Sequence, residues 1–361
     1  MFLVDFFVFL EVALLMFSCV NCFGGGSFDR EKWRRDRCEW IGTIHLEIYL
    51  VLDTKYAAIH QENISQCRPY LETLVNNVEA YFWPFNCPDL IITLVGVKVL
   101  TSEEEKQFKK YKKFKNDTTE KLDPAFTLSM FNLWVINDTR FKDADVVYLL
   151  TSEEIRDYTV AYKLEMKAAS YSLGPCHNRR TALSVDDGKT FSGVPAMVQQ
   201  IARMLGINWD DSRSTDEPCR VTDGYIMSKN GEPTELANFS SCSYDIWTFN
   251  YFAPYTNKAC FNRTAEAMVT ENDELPANFF SGSDYCQVLS KRQNTTTCES
   301  PTGPENGAVD TPCHMRCCFE NTNVTVNSPD GTRCDNETVC LQGTCVKERK
   351  RNITMLEINQ A

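Results

Sequence analysis

Apolar positions along this chain fall into two rhythms. His45–Val51 (HLEIYLV) and Ile91–Val99 (IITLVGVKV) are short β-rich runs. Asp145–Leu150 (DVVYLL) reads as a buried strand. Between the first two, Ile64–Trp83 carries Leu71, Leu74, Val75, Val78, Ala80 and Tyr81 at helical spacing. Phe126–Asn137 and Ser192–Leu205 also read as helices. Strands that alternate with helices predict an α/β (α+β) fold with a mixed, mostly parallel sheet and long helices. The pattern fades after about residue 265. From Cys286 to Cys345 the chain is rich in Thr, Asn, Gly and Pro and holds eight cysteines. That stretch reads as a small disulfide-rich module, because its core alone is too small to hold it.

The N-terminus adds an address. Residues 2–17 (FLVDFFVFLEVALLMF) read as a secretory signal peptide with a cut after Cys22, although Asp5 and Glu11 interrupt it. A membrane anchor is the rival reading. It is disfavoured because the longest uncharged apolar run, Val12–Phe17, is far shorter than a spanning helix. The expected organisation is a signal peptide over 1–22, a main domain over 41–262, a cysteine-rich domain over 265–346 and a basic tail over 347–361.

Composition agrees with export. Seventeen cysteines are too many for a reducing compartment unless they hold metal, and none has zinc-finger spacing. Sequons at Asn63, Asn116, Asn137, Asn238, Asn262, Asn294, Asn323, Asn336 and Asn352 predict a glycosylated surface. The net charge of −12 argues against a nucleic-acid partner. The Lys106–Lys115 run (KQFKKYKKFK) reads as a solvated surface whose charges partly cancel against Glu103–Glu105. Only His45, His60, His177 and His314 are available, so a multi-histidine metal site is nearly excluded. A Cys176–His177 hydrolase pair is also a poor reading, because adjacent side chains seldom face each other.

The informative segment is Val194–Asp210, VPAMVQQIARMLGINWD. Val194, Met197, Val198, Ile201, Ala202 and Leu205 form one apolar stripe. Gln199 and Arg203 share the opposite face, and Gly206 suits a left-handed helix end. Downstream come Cys219, Tyr225-Ile226-Met227-Ser228, Cys242 and Cys260.

Together these resemble the active-site helix and Met-turn of metzincin metalloproteases of the reprolysin group, which includes snake-venom metalloproteases, ADAMs and tick salivary metalloproteases. The resemblance spans about Ile41–Cys260. Ile44–Asp53 and Leu94-Val-Gly-Val look like strands of that group. Ser328-Pro-Asp-Gly-Thr-Arg-Cys334 and Gly343-Thr-Cys345-Val look like the cysteine-rich module of its tick members.

The family helix reads H-E-x-x-H-x-x-G-x-x-H-D. With Gly206 and Asp210 in register, Gln199 stands at the first histidine and Gln200 at the glutamate. Arg203 stands at the second histidine and Trp209 at the third. Tyr225–Ser228 looks like the Met-turn around Met227. The resemblance implies disulfides Cys176–Cys260 and Cys219–Cys242, and leaves one of Cys38, Cys67 and Cys87 unpaired.

Catalytic zinc needs three N, O or S ligands and an open position for water. A guanidinium has no lone pair to give, and an indole only donates. At about 4 Å and an effective dielectric near 20, a +1 and a +2 charge repel by roughly 8 kcal/mol. Gln200 cannot serve as general base. No catalytic residue and no cofactor is therefore expected, zinc being the family's cofactor. The expectation is a secreted, catalytically inactive pseudoprotease that binds extracellular host or matrix proteins. The alternative is an active zinc endopeptidase with unusual ligands. Arg203 is expected to pair with Asp210 or Asp211, and Trp209 to fill the vacated space.

Overall fold

The first β-rich run forms strand β1, Thr43–Leu52, in a computed structural model. The structure describes residues 43–85, 87–113, 118–156, 168–175, 177–210, 219–228, 238–252, 261, 272–290, 295–298, 312–319 and 322–349. After β1 come helices α1 (Thr54–Ile59) and α2 (Ile64–Ala80), then β2 (Asp89–Val99). A short helix α3 (Ser102–Glu105) leads to the two-residue ladder β3 (Tyr111–Lys112) and β4 (Lys121–Leu122). Next are α4 (Pro124–Ile136), β5 (Val146–Thr151), β6 (Ala168–Ser170), β7 (Thr181–Val185) and α5 (Val194–Met204).

Five strands form one sheet in the order β2-β1-β5-β7-β6. β1 pairs in parallel with β2 and β5, and β5 with β7. Only the edge strand β6 runs antiparallel. Every residue of the central β5 is buried, as a parallel strand covered on both faces requires. One cluster on this sheet joins Val51, Val147, Leu149 and Leu183 to Leu128, Phe131 and Val135 of α4 and to Phe108. Gly96 lies opposite Tyr49 in the β1–β2 register, and a Cβ there would come within 2.2 Å of the Tyr49 ring. That close approach accounts for the glycine inside an otherwise apolar strand.

In the lysine run, Lys106, Lys110, Lys112 and Lys113 are exposed as the charge pattern predicts, but Lys109 is not. Lys109 leaves only 2% of its side chain exposed. Its ammonium lies 2.8 Å from Asp53 Oδ2, 2.7 Å from Glu153 Oε1 and 3.2 Å from Glu105 Oε2. Burial opposes the charge, but attraction by Asp53 and Glu153 prevails and raises the Lys109 pKa. Asp53 also caps α1 by accepting from the Tyr56 amide at 2.7 Å. A single lysine thus ties the end of β1 to the loops after α3 and β5.

The β1–β5 seam holds a second buried carboxylate. Asp145 Oδ2 accepts from the Glu47 amide at 2.8 Å, and the Asp145 amide donates to the Glu47 carbonyl at 2.9 Å. Burial, with help from the Glu47 charge and against Arg180, pushes the Asp145 carboxyl up to about 7. The folded state therefore holds this proton better than the unfolded chain does. The stabilisation is complete below about pH 4 and is lost as pH rises through about 7. Stability is expected to fall by about 2 kcal/mol from this group between pH 5.5 and 8. Asp145→Asn should flatten that part of a pH series of urea melts; an unchanged slope would remove Asp145 as its source.

Helix α6 (Ser241–Phe252) precedes the C-terminal module. The module contains α7 (Pro276–Phe279), α8 (Gly282–Ser290) and strands β8 (Thr296–Thr297), β9 (His314–Phe319), β10 (Thr322–Asn327), β11 (Thr338–Leu341) and β12 (Thr344–Lys347). Disulfides join Cys286–Cys317, Cys298–Cys318, Cys313–Cys340 and Cys334–Cys345. Cys87 is also disulfide-bonded, whereas Cys67 is free and buried.

The module docks on α2 through Asp330, the aspartate of the Ser328-Pro-Asp-Gly turn. Asp330 Oδ2 accepts from Asn77 Nδ2 at 3.1 Å and from the Tyr81 hydroxyl at 3.0 Å. Its other oxygen accepts from the Gln342 amide at 2.6 Å. No helix among the described residues is long and apolar enough to cross a membrane.

Candidate functional site

Helix α5 starts from a loop held by a carboxylate that the sequence patterns do not single out. Asp186, at the end of β7, is fully buried. It accepts from the Tyr56 and Tyr70 hydroxyls at 2.8 and 2.9 Å, and from the Gly188 and Gly193 amides at 2.9 and 2.7 Å. Burial raises its pKa against these donors. Gly193 is the residue before α5, so Asp186 fixes where the helix begins.

The apolar stripe of α5 buries Val194, Met197, Val198, Ile201 and Ala202. The helix ends at Gly206, whose φ is +90°. The Ile207 amide donates to the Ala202 carbonyl and the Gly206 amide to the Arg203 carbonyl, both at 2.9 Å. This six-to-one and five-to-two pattern is a Schellman cap, and the left-handed residue it needs is the glycine. The chain then reverses to bring Trp209 and Asp210 back beside the helix.

Tyr225–Ser228 form the turn that meets them. The Asp210 amide donates to the Met227 carbonyl at 2.9 Å, and Met227 is fully buried. The Asp210 carboxylate accepts from Ser240 Oγ at 2.6 Å. A Cys219–Cys242 disulfide closes this part of the chain. Cys176 and Cys260 lie outside the described residues, as do the sequons at Asn116, Asn262, Asn294 and Asn352. Asn63, Asn137, Asn323 and Asn336 are exposed, and Asn238 is half-buried.

Of the four substituted positions, Gln199 meets this turn, Gln200 meets the edge strand β6, and Arg203 and Trp209 meet each other. Gln199 is 2% exposed and its Nε2 donates to the Ile226 carbonyl at 2.9 Å. Gln200 is equally buried, and its Oε1 accepts from Ser170 Oγ on the edge strand β6 at 2.8 Å. Arg203 is half-buried with its guanidinium carbon 5.4 Å from the centre of the Trp209 ring. Burial lowers the Arg203 pKa, yet a guanidinium stays charged at any physiological pH.

The expected Arg203–Asp210 pair does not form; the Asp210 carboxylate meets Ser240 Oγ instead. Asp211 lies outside the described residues. Among the described residues the Arg203 guanidinium makes no ion pair; the Trp209 ring faces it instead, a cation–π contact.

This donor set does not fit zinc. Of the three ligand positions, Gln199 offers one neutral amide oxygen, Arg203 is a fixed cation and Trp209 offers only an N–H, so three ligands cannot be assembled. Among the described residues, the metal-ligating side chains that come close enough to share an ion are Cys313, Cys334, Cys340 and Cys345. Their sulfurs are joined in two disulfides of the module, so they are not thiolates.

Ser170 and Asp186 had no motif to reveal them. β6 is only three residues long, Ala-Ala-Ser, too short for an alternating pattern. Asp186 is recognisable only once Tyr56 and Tyr70 are seen to point at it.

A family profile described as "Reprolysin (M12B) family zinc metalloprotease" matches residues 45–264. Among solved structures, a chain described as "Structure of a chaperone-substrate complex" is similar at 13% identity with a TM-score of 0.33. That match covers 56% of this chain and 31% of the other, so this chain spans about a third of the length of the solved chain it matches.

Proposed function

We propose, from the premise that this chain belongs to the reprolysin (M12B) family of zinc metalloproteases, that it is a secreted pseudoprotease: a protease scaffold that no longer cleaves and acts by binding extracellular proteins. The observation that carries this reading is Arg203. In family register it occupies the second histidine position, and its guanidinium is half-buried against Trp209 with no ion pair among the described residues. A fixed positive charge opposes a divalent cation there, and the loss of the glutamate at Gln200 removes the base that would activate water. The buried bonds of Gln199 and Gln200 give the helix other partners in place of a metal.

Secretion is supported by the signal-like N-terminus, the sequons and the disulfides of the C-terminal module. The rival reading is an active zinc endopeptidase with unusual ligands. The two separate in one assay. The purified protein, supplied with zinc and incubated with denatured protein substrates, should give no cleavage above the buffer rate. Cleavage that a zinc chelator abolishes would establish the rival.

A further inference from the structure

Helix α4 leaves part of its apolar surface outside the core, although Met130 and Trp134 on its margin pack against the core cluster. Phe126, Leu133 and Ile136 are 43%, 47% and 41% exposed. Phe126, Met130, Leu133 and Asn137 are spaced four, three and four residues apart, which places them on one stripe of the helix. A surface cavity of about 460 Å³ opens along this stripe. Met130, Leu133 and Trp134 form its apolar wall, and Asn137, Asp138 and Thr139 form its polar rim.

That rim is the sequon Asn137-Asp138-Thr139. The Asn137 side chain is exposed and lies back over the helix, its Nδ2 donating to the Leu133 carbonyl at 2.8 Å. A sugar attached to Nδ2 therefore starts above Leu133, at the mouth of the cavity. The amide keeps one hydrogen after substitution, the one trans to Oδ1.

We infer that Asn137 carries an N-linked oligosaccharide whose first N-acetylglucosamine units lie in the α4 groove and cover its apolar wall. The transfer forms a bond from Asn137 Nδ2 to the anomeric carbon of a lipid-linked pyrophosphoryl oligosaccharide. The sugar–phosphate bond breaks, the lipid pyrophosphate leaves with the electron pair, and Nδ2 gives one proton to the transferase. The match is chemical as well as spatial. A pyranose has a C–H face that suits Leu133 and Trp134, and hydroxyls that suit Gln107 and Thr139, the Asp138 carboxylate being held by Arg140. An exposed apolar patch otherwise invites association, and a tethered sugar is a solubilising cover for it. The inference rests on the export part of the reading above, since transfer occurs only on exported chains.

The test compares the full chain secreted from glycosylating eukaryotic cells with Asn137→Gln and Thr139→Ala, which destroy the sequon, and Thr139→Ser, which keeps it. Glycopeptide mass spectrometry should find Asn137 occupied in the parent and in Thr139→Ser. Both sequon-breaking variants should keep the parent's circular dichroism and raise the fluorescence of an apolar-surface dye at least about twofold. Parent trimmed enzymatically to a single sugar should stay dark.

Asn137 bare while Asn63, Asn323 or Asn336 is occupied would overturn the inference and leave export standing. All sequons bare would overturn both. An occupied Asn137 whose loss leaves dye binding unchanged would show that the sugar does not cover the groove, and would leave the stripe to a protein partner.

Discussion

Lys109→Met lowers the melting temperature of the protein by about 10 °C, the largest single-residue effect expected outside the cysteines. The substitution keeps the length and apolar stem of the side chain, so packing changes little. What it removes is the cation shared by Asp53, Glu105 and Glu153. Removing one partner of a buried ion cluster costs about 3–5 kcal/mol, because Asp53 is left buried without its counter-charge, while Glu153 keeps only Lys55. Asp53 and Glu153 would then take up protons more readily, and the loss should shrink at acidic pH. Thermal melts at pH 5 and pH 8 check both parts. A change under about 2 °C at pH 8 would mean that the cluster opens to water.

Gln199→His/Gln200→Glu/Arg203→His/Trp209→His, made together, gains zinc near one ion per chain and, with it, chelator-sensitive proteolysis. In family register the four positions already lie on one helix and the reversal that follows it. Asp186 sets the start of α5, the Gly206 cap turns the chain, and the Met227 carbonyl holds the Asp210 amide. The substitutions give up the Gln199–Ile226 and Gln200–Ser170 bonds, at about 1 kcal/mol each. Against that stands a zinc binding energy on the order of 10 kcal/mol once three imidazoles are present. The metal-free variant should therefore melt below the parent and rise above it when zinc is added. Restoring Arg203 alone within this set should abolish uptake, since two imidazoles and a guanidinium do not make a site.

The parts of this molecule that were legible in the sequence are those where one physical rule acts alone. β1, β5 and α5 lie where the apolar pattern placed them, because burial on one or both faces dictates their residues over many positions. Gly206 was legible because only a residue tolerant of positive φ suits that cap. The rest depended on residues far apart in the chain. Lys109 looked like one more surface lysine, and only the folded chain shows that Asp53 and Glu153 meet it. The Arg203–Asp210 pair was a fair guess from proximity, but Ser240, thirty residues on, reaches Asp210 instead. Asp186 and the docking aspartate Asp330 belong to the same class, the first defined by Tyr56 and Tyr70 and the second by Asn77 and Tyr81, all far away in sequence.

The most direct measurement is the zinc content of the unmodified protein, purified without chelators, equilibrated with zinc and counted by inductively coupled plasma mass spectrometry. With Arg203 and Trp209 where imidazoles would be required, the result should be below about 0.1 zinc per chain. About one tightly held zinc per chain would contradict the account.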